Sequence, residues 1–135
     1  VSRVGDLTQA REVAIAAVAR SAQYQSIGVD IEQTHRVGER LIDKILTPDE
    51  IAQARRERAE YAGLIFSAKE SAYKAINPIV GEYIGFQEVA IDVSWTKRSF
   101  TIRYLGSSSA NRRLNDGRGI FAFTAGYVFS LFVIE

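Results

Sequence analysis

Cysteine is absent from the 135 residues, which excludes disulfides, thiolate metal sites and a cysteine nucleophile. That absence fits a cytoplasmic protein. The single histidine, His35, cannot by itself build a histidine-rich metal centre. An excess of one charge is missing too: 17 Lys and Arg stand against 16 Asp and Glu, a formal charge of +1. Nothing global therefore points to nucleic acid or an anionic membrane, and any electrostatic role must come from local clusters. Met is absent and the chain starts at Val1, as expected of a processed or truncated product. No basic-then-apolar leader stands at the start, so no retained signal peptide is expected. Long apolar runs are missing as well. The longest, Gly119 to Ile134, is broken by Thr124, Gly126 and Ser130 and falls short of the roughly 18–20 residues that cross a bilayer.

What is present is an ordinary globular composition, 47% hydrophobic and 24% charged, in a length that suits one compact domain spanning 1–135. Ile27-Gly28-Val29-Asp30-Ile31-Glu32 alternates apolar and acidic residues, the period of a half-buried strand. Val13 to Ala19 is almost wholly apolar, so periodicity leaves helix and strand open there. The polar run Ser21 to Gln25 separates the two segments as a turn. Thr47-Pro48-Asp49-Glu50 reads as a capping box opening a charged helix that continues to about Glu60. A second helix is predicted from about Tyr61 to Ile76, with Leu64, Ile65, Ala68, Ala72 and Ile76 on or near one face, stopped by Asn77-Pro78. Strands follow at Val89 to Trp95 and Phe100 to Tyr104, joined by a turn at Thr96 to Ser99. After a polar loop from Ser107, with Asn115-Asp116-Gly117 as a turn, a closing hairpin is expected near Ala125-Gly126. The class is α+β.

Asp30 and Glu32, two apart on a strand, leave the same face about 7 Å from one another. Two carboxylates so placed repel unless a positive group lies between them. They describe either a solvated strand face or an oxygen site for Mg²⁺, which favours hard carboxylate ligands together with waters and phosphates. Glu70 and Lys74, four apart on the second helix, form either a surface ion pair or a second part of such a site. Lys69 lies about 100° around that helix from Glu70, where it could face solvent.

Taken together, Gly28-Val29-Asp30-Ile31-Glu32 and Phe66-Ser67-Ala68-Lys69-Glu70-Ser71-Ala72-Tyr73-Lys74-Ala75 closely resemble the paired signature of the 4′-phosphopantetheinyl transferases. The form is similar to the larger type that activates nonribosomal peptide and siderophore synthetases, mainly its C-terminal half. Gly5-Asp6-Leu7-Thr8 and Gly126-Tyr127-Val128-Phe129-Ser130-Leu131 also match family positions. The resemblance implies an antiparallel sheet packed against helices, one half of a pseudo-dimer. It implies Mg²⁺ held by Asp30, Glu32 and Glu70 against the pyrophosphate of coenzyme A. Lys74 would neutralise that pyrophosphate and Lys69 assist with phosphate or carrier contacts. Glu70 would help deprotonate a serine of an acyl or peptidyl carrier protein. The resemblance also implies that Val13–Arg20 forms a hairpin with Ile27–Glu32.

Two positions depart from the family pattern. Gln9 stands where the family usually has a histidine for the 3′-phosphate of coenzyme A; glutamine donates a hydrogen bond but cannot become cationic. The length matches one half, so the other wall of the cleft would come from a missing N-terminal half or from a second copy. Elsewhere, His35 in Gln33-Thr34-His35-Arg36 reads as solvated loop. Arg55, Arg56 and Arg58, like Arg112, Arg113 and Arg118, are basic clusters that either dock an acidic carrier or simply face solvent. Trp95, Phe121 and Phe123 read as packing residues.

Overall fold

The computed structural model describes residues 3–10, 13–21, 23–35 and 37–135; Val1, Ala22 of the predicted turn and Arg36 beside His35 lie outside them. The strands are β1 (Arg3–Ala10), β2 (Val13–Arg20), β3 (Ser26–Gln33), β4 (Val89–Ser94), β5 (Ser99–Tyr104), β6 (Arg118–Thr124) and β7 (Tyr127–Ile134). The helices are α1 (Glu39–Ile45), α2 (Pro48–Ala54) and α3 (Tyr61–Val80), and short 3₁₀ segments occupy Phe86–Glu88 and Asn111–Asp116. Among the described residues, five strands form one antiparallel sheet in the order β3-β7-β6-β5-β4, while β1 and β2 pair only with each other. The α+β class with an antiparallel sheet against helices is therefore what the chain adopts. Among the described residues no helix is long and apolar enough to cross a membrane.

Alternation along β3 and β7 builds two apolar layers. Phe132, Val128 and Ile134 of β7 join Phe121, Phe100 and Ile102 beneath the apolar stripe of α3, in which Leu64, Ile65, Ala68, Ala72, Ala75 and Ile76 are buried. On the opposite face Ile27, Val29 and Val133 pack against Val4, Ile15, Ala17 and Ala19 of the β1–β2 hairpin. The expected hairpin between Val13–Arg20 and Ile27–Glu32 is thus corrected. Val13–Arg20 is a strand, but its partner is β1, with Arg3 opposite Arg20 and Ala10 opposite Val13. Its apolar residues meet β3 face to face as a second layer, because the antiparallel partner of β3 is β7.

Two helix boundaries also differ. The capping box forms as expected, Glu50 N donating to Thr47 Oγ1 at 3.3 Å and Thr47 N to Glu50 Oε1 at 2.9 Å, but α2 ends at Ala54 rather than near Glu60. Pro78 does not stop α3. Being in the last turn, it costs a single intrahelical bond. The helix runs on to Val80 and closes on Gly81, whose φ of 70° supplies the left-handed cap.

Three contacts set β3 where the site needs it. A Cβ on Gly28 would lie 1.9 Å from Ser71 O, so only glycine lets α3 approach the strand this closely. The expected turn between β6 and β7 has positive φ at both Ala125 (48°) and Gly126 (82°), the type I′ geometry suited to strand twist. Thr34, just past β3, clasps that turn, its N and Oγ1 both donating to Gly126 O at 2.8 and 2.7 Å.

Candidate active site

The residues of β3 that alternate toward α3 are Gly28, Asp30 and Glu32. Asp30 is 3% exposed, beneath a buried polar seam in which the hydroxyls of Ser67 (α3) and Ser130 (β7) lie 2.7 Å apart and Ser130 Oγ also donates to Ser67 O. Lys74 reaches from the next turn of α3, its Nζ donating to Val29 O at 3.0 Å and to Asp30 Oδ1 at 3.4 Å. Asp6 of β1 takes the Val29 N–H at 2.8 Å. The open edge of β3 is thus capped at Val29 by one acid and one base. Asp30 Oδ2 is buried with no hydrogen-bond partner.

The acids perturb one another. Burial, and then the Glu32 carboxylate, push Asp30 up to about 8, against the opposing pull of Lys74 and of the nearby Ser67 hydroxyl. Burial and again Glu32 raise Glu70, with Lys74 opposing. The sequence pair Glu70/Lys74 therefore does not stand apart as a surface ion pair; the salt bridge of Lys74 is to Asp30. Among the described residues no three His, Cys, Asp or Glu side chains close into a cation cage. The donor chemistry nevertheless fits a hard divalent cation: the Glu32 carboxylate bears on both Asp30 and Glu70, and one buried oxygen of Asp30 has no partner.

Glu70 lines a cavity of about 240 Å³ whose other walls include Tyr73 and Ala72 of α3, Leu114, and Tyr83, Ile84, Gly85 and Phe86 of the segment after the helix. A carboxylate thus stands beside a largely apolar slot.

Lys69 is the clearest correction. It is not solvent-facing: the residue is 4% exposed, and its Nζ donates to Glu50 Oε1 at 2.6 Å, Ile45 O at 2.7 Å and Phe86 O at 2.9 Å. All three ammonium protons have protein acceptors, so none remains for a phosphate. Glu50 completes the knot by accepting from Thr47 N and from Ile91 N at 2.8 Å. The rotation that carries Lys69 away from Glu70 points it inward, beneath α1 and α2, whose positions the helical wheel does not contain. Burial lowers the Lys69 pKa, and Glu50 works against that shift.

Gln9 is exposed on β1. His35 is exposed, as read from its polar surroundings, while Trp95 packs edge-on to Phe121 and stacks on Phe123. Sequence reasoning missed three contributors: Asp6, Ser67 and Ser130. Only the Asp6 position carried a signal, as the one acid of β1; the two serines are visible as a pair only once β7 lies beside β3.

The architecture is that of the holo-acyl-carrier-protein synthases. The enzyme from Thermotoga maritima superposes with a TM-score of 0.63 over 81% of this chain and 62% of its own, at 20% identity. That from Helicobacter pylori, solved with coenzyme A, gives 0.61 over 81% and 99% at 19% identity. At such identities the likeness concerns the fold. Membership is shown by sequence: residues 26–128 match the model of the 4′-phosphopantetheinyl transferase superfamily, and the chain belongs to that family. It is 33% identical over 132 residues to the 4′-phosphopantetheinyl transferase Svp of Streptomyces mobaraensis, covering 93% of this chain. It is 30% identical over 141 residues to PptT of Mycobacterium tuberculosis, covering 97% of this chain. The chain spans 54% of the first relative and 62% of the second.

Proposed function

We propose that this chain is the C-terminal half of a larger-type phosphopantetheinyl transferase, a single domain over 1–135 that moves the 4′-phosphopantetheine of coenzyme A onto a serine of an acyl or peptidyl carrier protein. The observation that carries the reading is Glu32 bearing on both Asp30 and Glu70, with Lys74 paired to Asp30 and Glu70 lining an apolar slot. The pantetheine arm is the uncharged part of coenzyme A, so the slot beside Glu70 suits it and the pyrophosphate falls to Lys74. Asp30, Glu32 and Glu70 would hold Mg²⁺, which supplies charge neutralisation on the pyrophosphate. The serine oxygen forms the new bond to the β-phosphorus, the bridging P–O bond breaks, and 3′,5′-ADP leaves. Glu70, directly or through a metal-bound water, takes the serine proton. Lys69, on its geometry, is a framework residue and not a phosphate contact.

The solvent face of β1–β2 bears Leu7 and Val18, 65% and 66% exposed. Such an apolar face suits burial against the N-terminal half or a second copy, which would supply the rest of the coenzyme A site. A second reading, a catalytically silent module that only binds coenzyme A or a carrier, is favoured by exposed Gln9, which has no cationic form for the 3′-phosphate.

The test is the intact mass of an apo carrier protein incubated with the chain, coenzyme A and Mg²⁺. One added phosphopantetheine, lost with EDTA and lost in Asp30→Ala, is the expected result. Undiminished transfer by Asp30→Ala removes the metal role. Binding without transfer leaves the silent module. Gln9→His is expected to tighten coenzyme A more than dephospho-coenzyme A; equal effects on the two place residue 9 away from the 3′-phosphate.

A further inference from the structure

One wall of the slot beside Glu70 belongs to no regular element. Gly81 to Gly85 leave α3 without helix or strand structure and still supply Tyr83, Ile84 and Gly85 to the cavity, with Phe86 beginning the short 3₁₀ segment. Tyr83 is 82% exposed, so its own packing does little to hold this stretch. Ile84 anchors it in the core and Phe86 packs against Phe66, and a set of hydrogen bonds to its backbone and side chains fixes the path between them. Lys69 Nζ donates to Phe86 O from inside, and its other two protons fix it to Glu50 and to Ile45 O at the end of α1. Gln87 Nε2 donates to Asp43 O and Leu46 O from outside, and Glu88 Oε2 accepts from Gly85 N. Lys69 and Glu70 are neighbours in α3, so the ammonium that grips the wall and the carboxylate facing the slot share one rigid element.

We propose that Lys69 is a positioning residue that moors the 83–86 wall to α3 and thereby sets the affinity of the slot for the pantetheine arm. This rests on the functional reading above. It separates Lys69 from any phosphate contact: loosening the wall weakens a ligand that carries the arm and spares one that carries only the nucleotide and its phosphates.

The experiment compares the parent chain with Lys69→Met, which keeps the stem and removes the donors, and Lys69→Arg, which restores donors. Because Lys69→Met leaves Glu50 buried without its cation, Gln87→Ala serves as a second variant that cuts the outer mooring of the same segment without exposing a buried charge. Calorimetry with coenzyme A and with 3′,5′-ADP, and amide hydrogen exchange of residues 82–88 in the free protein, are the readouts. Lys69→Met is expected to weaken coenzyme A by about 10-fold or more and 3′,5′-ADP by less than about 2-fold, since a wall loosened in the free protein must be ordered again when the arm binds. Exchange at 82–88 should quicken ahead of the rest of the chain. Gln87→Ala should move both readouts the same way by less, and Lys69→Arg should restore them in part. Equal weakening of both ligands would overturn the proposal in favour of a phosphate contact, and unchanged exchange at 82–88 would overturn the mooring. Failure of the parent to bind either ligand removes the functional reading and the affinity claim with it, while exchange in the free variants still decides the mooring.

Discussion

Helix α3 carries two lysine–carboxylate pairs little more than a turn apart, and they are built to opposite specifications. Lys69–Glu50 is closed: both side chains are at most 5% exposed, the contact is 2.6 Å, and each charged group is satisfied by further backbone partners. Lys74–Asp30 is open. Its lysine side chain is 29% exposed, the contact is 3.4 Å, and one oxygen of Asp30 is buried without a partner. A closed pair resists rearrangement because every bond it would lose lies in a medium where replacements are absent. An open pair is incomplete by construction, as expected of groups that must receive a ligand. Equal charges at similar spacing thus become a closed pair in one place and an open one in the other.

The comparison can be broken by stability measurements in urea. Lys69→Met should cost about 3–5 kcal/mol, the usual result of leaving one member of a buried pair without the other; a loss below about 1 kcal/mol would show that the pair is not closed in solution. Gly28→Ala comes next. Its Cβ would meet Ser71 O and Ala75 N, so α3 must move off β3, at about 1–3 kcal/mol. Because Asp30 and Lys74 face each other across that gap, the same variant should lower carrier modification as well, which the mass assay reads.

A pH effect follows on the closed side. Burial and then the carboxylates of Glu50, Glu57 and Asp92 raise the Tyr61 hydroxyl pKa. A raised folded-state pKa means its stabilisation is intact below the unfolded value near 10 and declines as pH rises beyond it, by about 1 kcal/mol per unit. Tyr61→Phe should remove that part of the slope between pH 10 and 11; an unchanged slope would mean that Tyr61 ionises freely in the folded chain. The smallest stability change belongs to Lys74→Met, under about 1 kcal/mol for a partly exposed pair. Its transfer rate should fall about 100-fold, as is typical when one charge-stabilising donor is removed. If Lys74→Met were instead as destabilising as Lys69→Met, the contrast between the two pairs would disappear.

Much of this was legible in the sequence, because it depends on local rules. Period-two alternation placed β3 and the carboxylates on one face, the capping box placed the start of α2, and Ala125-Gly126 placed the last turn. What was not legible depends on which elements become neighbours. Nothing within Val13–Arg20 says that it pairs with β1 and lies across β3 as a layer. Likewise, nothing within α3 says that its Lys69 side is roofed by α1 and α2. The sequence therefore identified Lys69 as a lysine near a site, and only the packing showed it to be an interior one.

The clasp of Thr34 on Gly126 has a consequence for how the chain can go wrong. It fixes the alignment of β3 on β7, and a slip of one residue would interchange the two faces of β3. Asp30 and Glu32 would then enter the greasy layer against the hairpin, and Val29 and Ile31 would turn toward Ser67 and Ser130. Misaligned chains would thus lose the carboxylate constellation and the hydrophobic layer together, so a folding population should divide into aligned and misaligned molecules, with none in between.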